Sequence, residues 1–181
     1  MSIYGSSSND YALFNELVEE IKAEFPKFQV VKKEDSKLMA LIYAVTLMRF
    51  WNPYFMEDYI TTLFGKVYMP FNVIGTRVGY DVLRHERVHL RDAARFPLLF
   101  ELSYILLPLP AVFTLRAYWE YRGYCESLVA ESDRYGYVRK EAIEYYVDIF
   151  AGPTYLWMCP FRNFMRDAFY KFARERGLVV K

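Results

Sequence analysis

The sequence predicts a single α+β domain that is mostly helical and carries one β-hairpin. A chain of 181 residues with 54% apolar side chains can form one core and is short for two. Helical periodicity recurs along most of the chain, whereas only one segment places β-branched and aromatic residues on both sides of a turn. No internal repeat or linker interrupts it. We therefore expect one domain over residues 1–181, with residues 1–10 as a flexible, serine-rich N-terminus.

The first predicted element is an amphipathic helix over residues 11–25, "YALFNELVEEIKAEF". Asn9 or Asp10 is placed to cap its start, and Pro26 lies just beyond its end. Its apolar face combines four residues at helical spacing: Leu13, Leu17, Ile21 and Phe25. This face predicts packing against the core.

Two segments follow before the charged centre of the chain. Residues 38–48, "LMALIYAVTLM", are apolar without a clear period and fit either a buried strand or a helix. Residues 59–70, "YITTLFGKVYMP", predict a hairpin, because β-branched and aromatic residues flank a turn at Phe64-Gly65 and Pro70 closes the second arm.

A long charged helix is predicted after Gly75. Four arginines recur at spacings of three and four and mark one solvated stripe: Arg84, Arg87, Arg91 and Arg95. Pro97 disfavours helical geometry at Phe96 and is expected to end the helix there. The sequence "HERVH", residues 85–89, therefore lies on a helix.

The rest of the chain is expected to be helical as well. The apolar run 96–115 contains Glu101 and three prolines, so we interpret it as a buried segment or the lining of an apolar pocket and not as a membrane span. A long helix is predicted over about 111–132. The last 45 residues predict helices broken near Gly152-Pro153 and Pro160.

Composition narrows the classes of partner. The net charge of +1 gives no reason to expect nucleic acid or an anionic membrane as a partner. Cys125 and Cys159 are too few for a disulfide framework and are expected to be free, buried thiols. The first residues lack the apolar run of a secretory signal, so we expect the cytoplasm. The aromatic content of 19% predicts an aromatic core or an apolar binding surface.

The only two histidines of the chain, His85 and His89, lie one helical turn apart on the side opposite the arginine stripe. Two imidazoles at this spacing can bind one Zn²⁺, each at about 2.0–2.1 Å. A glutamate directly after the first histidine can act as a general base for water on the metal, and Glu86 holds that position. The alternative is a charged surface helix whose histidines are incidental.

The third ligand must be a carboxylate, because no histidine is left. Downstream candidates are Glu120, Glu126 and Glu131. Glu120 shares its helical face with groups that permit close helix approach: Arg116, Gly123 and Ser127. Glu126 lies beside Arg122 and Asp133, which is typical of a solvated ion-pair face, and Glu131 lies three turns beyond Glu120. Helical geometry favours Glu120, with Glu126 as the main alternative.

The order of hairpin, "LRHERVHLRD" helix, apolar "FELSYILLPLP" and "RAYWEYRGY" helix resembles small gluzincin-type zinc metallopeptidases, including uncharacterised bacterial and phage members. The resemblance covers about residues 55–130. It implies a zincin-like fold in which a short sheet packs on the motif helix, and a zinc ion bound by His85, His89 and Glu120 with Glu86 as general base. It also implies that one arm of the 59–70 hairpin binds an extended peptide along its edge.

One difference from the family keeps the choice of glutamate open. In several such families a small residue directly follows the ligand glutamate. Here Tyr121 follows Glu120, whereas Glu126-Ser127 keeps the family pattern. Glu126 therefore remains the alternative ligand.

The predicted function is zinc-dependent peptide-bond hydrolysis acting on a peptide or protein, in the cytoplasm or in a virion if a phage encodes the chain. Tyr124 and Arg116 are the candidates to stabilise the oxyanion, and Asp92 is placed to accept the outer N–H of a histidine or to pair with Arg91 or Arg95. Two alternatives are a non-catalytic zinc-binding protein and an apolar surface-binding module.

Overall fold

The structure is a computed structural model that describes residues 7–45, 54–105, 115–153 and 157–181. Helices dominate these residues, and the sheet found among them has three strands. The prediction of an α+β, mostly helical chain is confirmed. The chain divides into two compact units, Met1–Glu86 and Arg87–Lys181, and the division falls inside one uninterrupted helix.

The first unit contains the sheet. Its elements are α1 (Ser8–Glu24), β1 (Gln29–Lys32), α2 (Lys37–Val45), α3 (Phe55–Asp58), β2 (Thr61–Leu63) and β3 (Lys66–Met69). The strand order is β1-β3-β2, with β1 parallel and β2 antiparallel to the central β3. The ambiguous segment 38–48 is helical as far as Val45, and the remainder lies outside the described residues.

The predicted hairpin is confirmed, with its turn at Phe64-Gly65. Both turn residues have positive φ, 51° for Phe64 and 75° for Gly65. Two consecutive positive φ angles are the requirement of a type I′ turn, whose twist matches that of the strands it joins. The turn thus fixes the register in which Thr61 pairs with Tyr68 and Thr62 with Val67.

The first helix begins earlier than predicted. Its N-cap is Ser7, which forms a capping box with Asp10, so the assignment of the cap to Asn9 or Asp10 was wrong. Residues 7–10 are therefore ordered in the cap and first turn, and residues 1–6 lie outside the described residues. Of the predicted apolar face, Leu17 and Ile21 are buried and Leu13 and Phe25 are half-buried, while Phe14, which was not assigned to this face, is buried.

The long charged helix α4 runs from Arg77 to Arg95 and ends before Pro97, as predicted. The hydroxyl of Thr76 accepts a hydrogen bond from the N–H of Gly79 and so caps its first turn. Of the arginine stripe, Arg91 and Arg95 are exposed, whereas Arg84 and Arg87 are half-buried. The helix crosses the division between the two units without a break, which keeps its side chains in one helical register.

The second unit continues with α5 (Leu99–Ile105), α6 (Leu115–Tyr135), α7 (Lys140–Ala151) and α8 (Arg162–Glu175). The helix predicted from about residue 111 is described from Leu115, because residues 106–114 lie outside the described ones. The predicted breaks near Gly152-Pro153 and Pro160 are confirmed. The core joins residues of α6, α7 and α8, among them Leu128, Ile143, Val147, Phe150 and Phe169. Cys125 and Cys159 lie in it as free, buried thiols, as predicted.

The apolar run 96–115 is less buried than predicted. Phe100 is buried, but Leu98 is 74% exposed, and Leu99, Leu102 and Leu115 are exposed too. The prediction of a buried segment is therefore wrong for these leucines. Within the described parts of the chain, no helix combines the length and apolar character that crossing a membrane requires.

Candidate metal centre

His85 and His89 lie on α4, and both are buried, at 8% and 4% exposure. Their spacing of four residues places both imidazoles on one side of the helix. The arginines of the same helix are exposed or half-buried, so the two imidazoles lie on its more buried side.

Glu120 lies on α6 and is also buried, at 6% exposure. Its Oε2 is 3.9 Å from Nε2 of His89, which is too long for a hydrogen bond. One ligand atom from each of His85, His89 and Glu120 lies within 4.8 Å of the others. The three residues selected from the sequence are therefore brought together.

This donor set fits zinc. Two imidazole nitrogens and one carboxylate oxygen are the protein ligands of many catalytic zinc sites, which leave a fourth position open. Two ligands of a tetrahedral ion with bonds of about 2.1 Å lie roughly 3.4 Å apart. Side-chain rotations that close a pair by at most about 1.4 Å would bring the three ligands to bonding distance.

The rival glutamates are placed differently. Glu131 is buried, but its carboxylate accepts a hydrogen bond from Nε of Arg139 at 2.5 Å. Glu126 is half-buried, and it does not belong to the group of potential ligands found among the described residues. The geometry therefore favours Glu120 over both alternatives.

Glu86, the candidate general base, directly follows His85 in the sequence and is buried, at 7% exposure. Its Oε2 accepts a hydrogen bond of 2.6 Å from the hydroxyl of Thr62 in β2. The hairpin strand is thus in direct contact with the motif helix at the candidate general base. Sequence reasoning missed Thr62, because a threonine in a strand has the ordinary composition of a strand and no local signal marks its partner.

Asp92 is 1% exposed, and its Oδ1 forms an ion pair with Nη1 of Arg122 at 2.9 Å. This ion-pair partner comes from α6, whereas the sequence offered Arg91 or Arg95 of the same helix as the alternative to a histidine N–H. Burial raises the pKa of Asp92 above its ordinary value, while the charges of Arg122 and Arg95 oppose the rise. Among the described residues, Oδ2 of Asp92 has no hydrogen-bond partner.

The two candidates for the oxyanion occupy different surroundings. The ring of Tyr124 packs against Tyr146, with centroids 4.7 Å apart, and against Phe150 at 5.7 Å. The ring of Tyr124 therefore packs against the core of the second unit. Arg116 is half-buried in the first turn of α6, one helical turn before Glu120. Both candidates lie on the same helix as Glu120, four residues from it on either side.

One buried charge in the first unit was not foreseen. Lys33 follows β1 and is 0% exposed. Its Nζ donates to the carbonyls of Phe55 and Tyr59, at 2.7 and 2.6 Å, and to the hydroxyl of Thr61 at 3.2 Å. Burial lowers the pKa of Lys33 to about 7, and the negative charges of Glu86 and Glu34 act against that decrease.

Comparisons with known protein families, with characterised proteins and with solved structures find no match to this chain.

Proposed function

We propose that this protein is a zinc-dependent hydrolase of peptide bonds, of the gluzincin type. The observation that carries the proposal is the buried group of His85, His89 and Glu120, with one ligand atom from each within 4.8 Å. The position of Glu86 beside this group favours a catalytic over a purely structural site, because a structural zinc site has no use for a buried base.

The chain's own residues would divide the work as follows. A bound zinc ion supplies a Lewis acid that polarises the scissile carbonyl and makes water more acidic. Glu86 accepts a proton from the attacking water and delivers it to the leaving amine. Thr62 holds one oxygen of Glu86, since its hydroxyl donates to Oε2 at 2.6 Å.

The edge of the sheet supports a peptide as the proposed substrate. Within the described residues, β2 pairs with β3 on one side and is an edge of the three-stranded sheet. An edge strand can bind an extended peptide through main-chain hydrogen bonds that tolerate many sequences. Because Thr62 of this strand also contacts Glu86, a peptide paired with β2 would pass close to the base. Arg116 is the proposed partner of the developing oxyanion.

The decisive experiment compares the wild type with Glu86→Gln. Glutamine keeps the size of glutamate and can still accept the hydrogen bond from Thr62, but it is a very poor proton acceptor. We expect the variant to fold, to bind about one zinc per chain like the wild type, and to lose roughly 10²- to 10⁴-fold in cleavage rate. Zinc content by elemental analysis and cleavage of a diverse peptide library provide the two measurements.

Glu126→Gln is the matched control, because it makes the same change on a half-buried glutamate outside the ligand group. It should cleave at the wild-type rate. Cleavage that survives in Glu86→Gln and in chelator would reveal a contaminating protease. A zinc-loaded wild type that cleaves no member of the library would count against the proposal.

A further inference from the structure

The Lys33 ammonium is a fully used hydrogen-bond donor. An ammonium has three N–H groups, and three acceptors surround this one: the carbonyls of Phe55 and Tyr59 and the hydroxyl of Thr61. The Nζ atom also lies 3.6 Å from the centroid of the Phe55 ring. All of these contacts belong to one stretch of chain, residues 55–61. The side chain therefore fixes this stretch at three points.

This stretch leads directly into β2. Thr61, the last of the three acceptors, is the first residue of β2, and Thr62 follows it. The main chain of Lys33 is fixed as well, because its N–H donates to the carbonyl of Met69 at the end of β3 at 2.9 Å. Lys33 thus joins the end of the central strand to the start of the edge strand that holds Glu86.

We infer that Lys33 is a positioning residue for Glu86, acting through Thr62. The ammonium fixes residues 55–61, this fixes the start of β2, and β2 presents the Thr62 hydroxyl to the Glu86 carboxylate. The inference relies on the proposed function only in calling Glu86 the general base; the structural relay exists whether or not the chain cleaves peptides.

The charge of Lys33 supports this role. A buried ammonium is expensive unless it is fully hydrogen-bonded, and an uncharged side chain would fill the same space at lower cost. The opposite charge of Glu86 stabilises the ammonium, so the two groups attract each other within the first unit. A residue needed only to fill space would not require three polar contacts and a nearby carboxylate.

The test observes Glu86 directly. The full-length chain is labelled with carboxyl-¹³C glutamate, and the Glu86 signal is assigned by its loss in Glu86→Gln. Spectra are recorded at pH 6, where Lys33 is protonated. We expect Thr62→Val to shift this signal, because the hydrogen bond is removed, and Thr62→Ser to restore it. Lys33→Met should shift it in the same direction by at least half as much.

Two further variants separate a relay from a direct effect of charge. In the double variant Lys33→Met/Thr62→Val the shift should not exceed that of Thr62→Val alone, because Lys33 affects Glu86 only through the Thr62 hydroxyl. Additive shifts would overturn the relay. Lys32→Met is the matched control, since Lys32 is the neighbouring lysine, is exposed and lies over the Phe71 ring instead. It should leave the Glu86 signal unchanged.

A folded Lys33→Met protein with an unshifted Glu86 signal also overturns the inference. If that variant does not fold, Thr61→Val removes one acceptor of Lys33 and should give a smaller shift in the same direction; no shift then overturns it.

Activity provides a separate reading. Where the wild type cleaves a peptide, Lys33→Met should lower kcat by about 10- to 100-fold with KM unchanged, as expected for a residue that orients another. An unchanged kcat would contradict the role. A wild type that cleaves nothing counts against the proposed function alone, since the Glu86 signal still decides whether the relay exists.

Discussion

Asp92 of α4 forms an ion pair with Arg122 of α6, with 2.9 Å between Oδ1 and Nη1. Asp92 lies three residues after His89, and Arg122 lies two residues after Glu120. The pair therefore joins the two helices next to the residues that could share a metal. Asp92 is buried, whereas the Arg122 side chain is 34% exposed, so this link is made at the margin of the core.

Arg122→Met should weaken both the fold and the metal site. It leaves the buried Asp92 carboxylate without its charged donor, which should lower the free energy of unfolding by about 1.5–3 kcal/mol. Zinc affinity should fall by about 10- to 100-fold, because the ligand helices lose a fixed spacing. Urea unfolding and zinc titration measure the two effects. Arg91→Met, an exposed arginine next to Asp92, should change neither, and equal losses in the two variants would contradict this view.

Glu120→Ala and Glu126→Ala should differ sharply in zinc affinity. Glu120 offers a buried oxygen 3.9 Å from Nε2 of His89, whereas Glu126 is half-buried and outside the ligand group. We expect more than about a 100-fold loss for Glu120→Ala, beyond the effect of a residue that only supports a ligand. Competition with a chromophoric chelator gives the affinities. A loss of zinc affinity confined to Glu126→Ala would show that Glu126, and not Glu120, is the third ligand.

Stability should depend on pH through Lys33. Its pKa falls from 10.5 to about 7 in the folded protein, so between these values the unfolded chain binds more protons than the folded one. The contribution of Lys33 to the free energy of unfolding should therefore rise with pH from about 7 to 10.5, by at most about 1.4 kcal/mol per pH unit, and stay constant below pH 7.

Urea unfolding of the wild type and Lys33→Met at pH 6 to 9 measures this contribution as a difference. Above pH 7, the free energy of unfolding of the wild type should rise relative to that of Lys33→Met. Lys32→Met, measured in the same way, is the control for the loss of an exposed lysine at the neighbouring position. A flat difference for Lys33→Met would show that the ammonium keeps its proton well above pH 7.

Cys125 should resist thiol reagents in the folded protein. Burial raises its pKa to about 12, and only the thiolate reacts. In a Cys159→Ser variant, alkylation at pH 8 should be roughly a thousandfold slower than that of free cysteine. Addition of denaturant should restore the ordinary rate. Rapid labelling of the folded variant would show that α6 opens locally around this thiol.

Features governed by local rules were predictable from the sequence. Helix α4 ends before Pro97, and the hairpin turns at Phe64-Gly65, because proline and glycine act on their immediate neighbours. The placement of His85 and His89 on one side of their helix also followed from helical spacing. These predictions needed no knowledge of how distant elements pack.

Partners from distant parts of the chain were not predictable. Thr62 meets Glu86 across 24 residues, and Lys33 meets Thr61 across 28. Asp92 forms an ion pair with Arg122 of another helix, because the packing of α6 brings that side chain to it. Leu98 was predicted to lie in a buried segment and is exposed, since an apolar side chain does not have to be buried.

The shortness of the sheet edges limits what can add to them. Strand β2 has three residues and β1 has four, so each edge extends roughly 10–13 Å. A second copy of the chain would gain only a few main-chain hydrogen bonds from such an edge, and the exposed Lys32 at the end of β1 adds charge repulsion between copies. Among the described residues, β2 thus remains an edge strand that a peptide could pair with, but its short length gives little template for fibrous self-association.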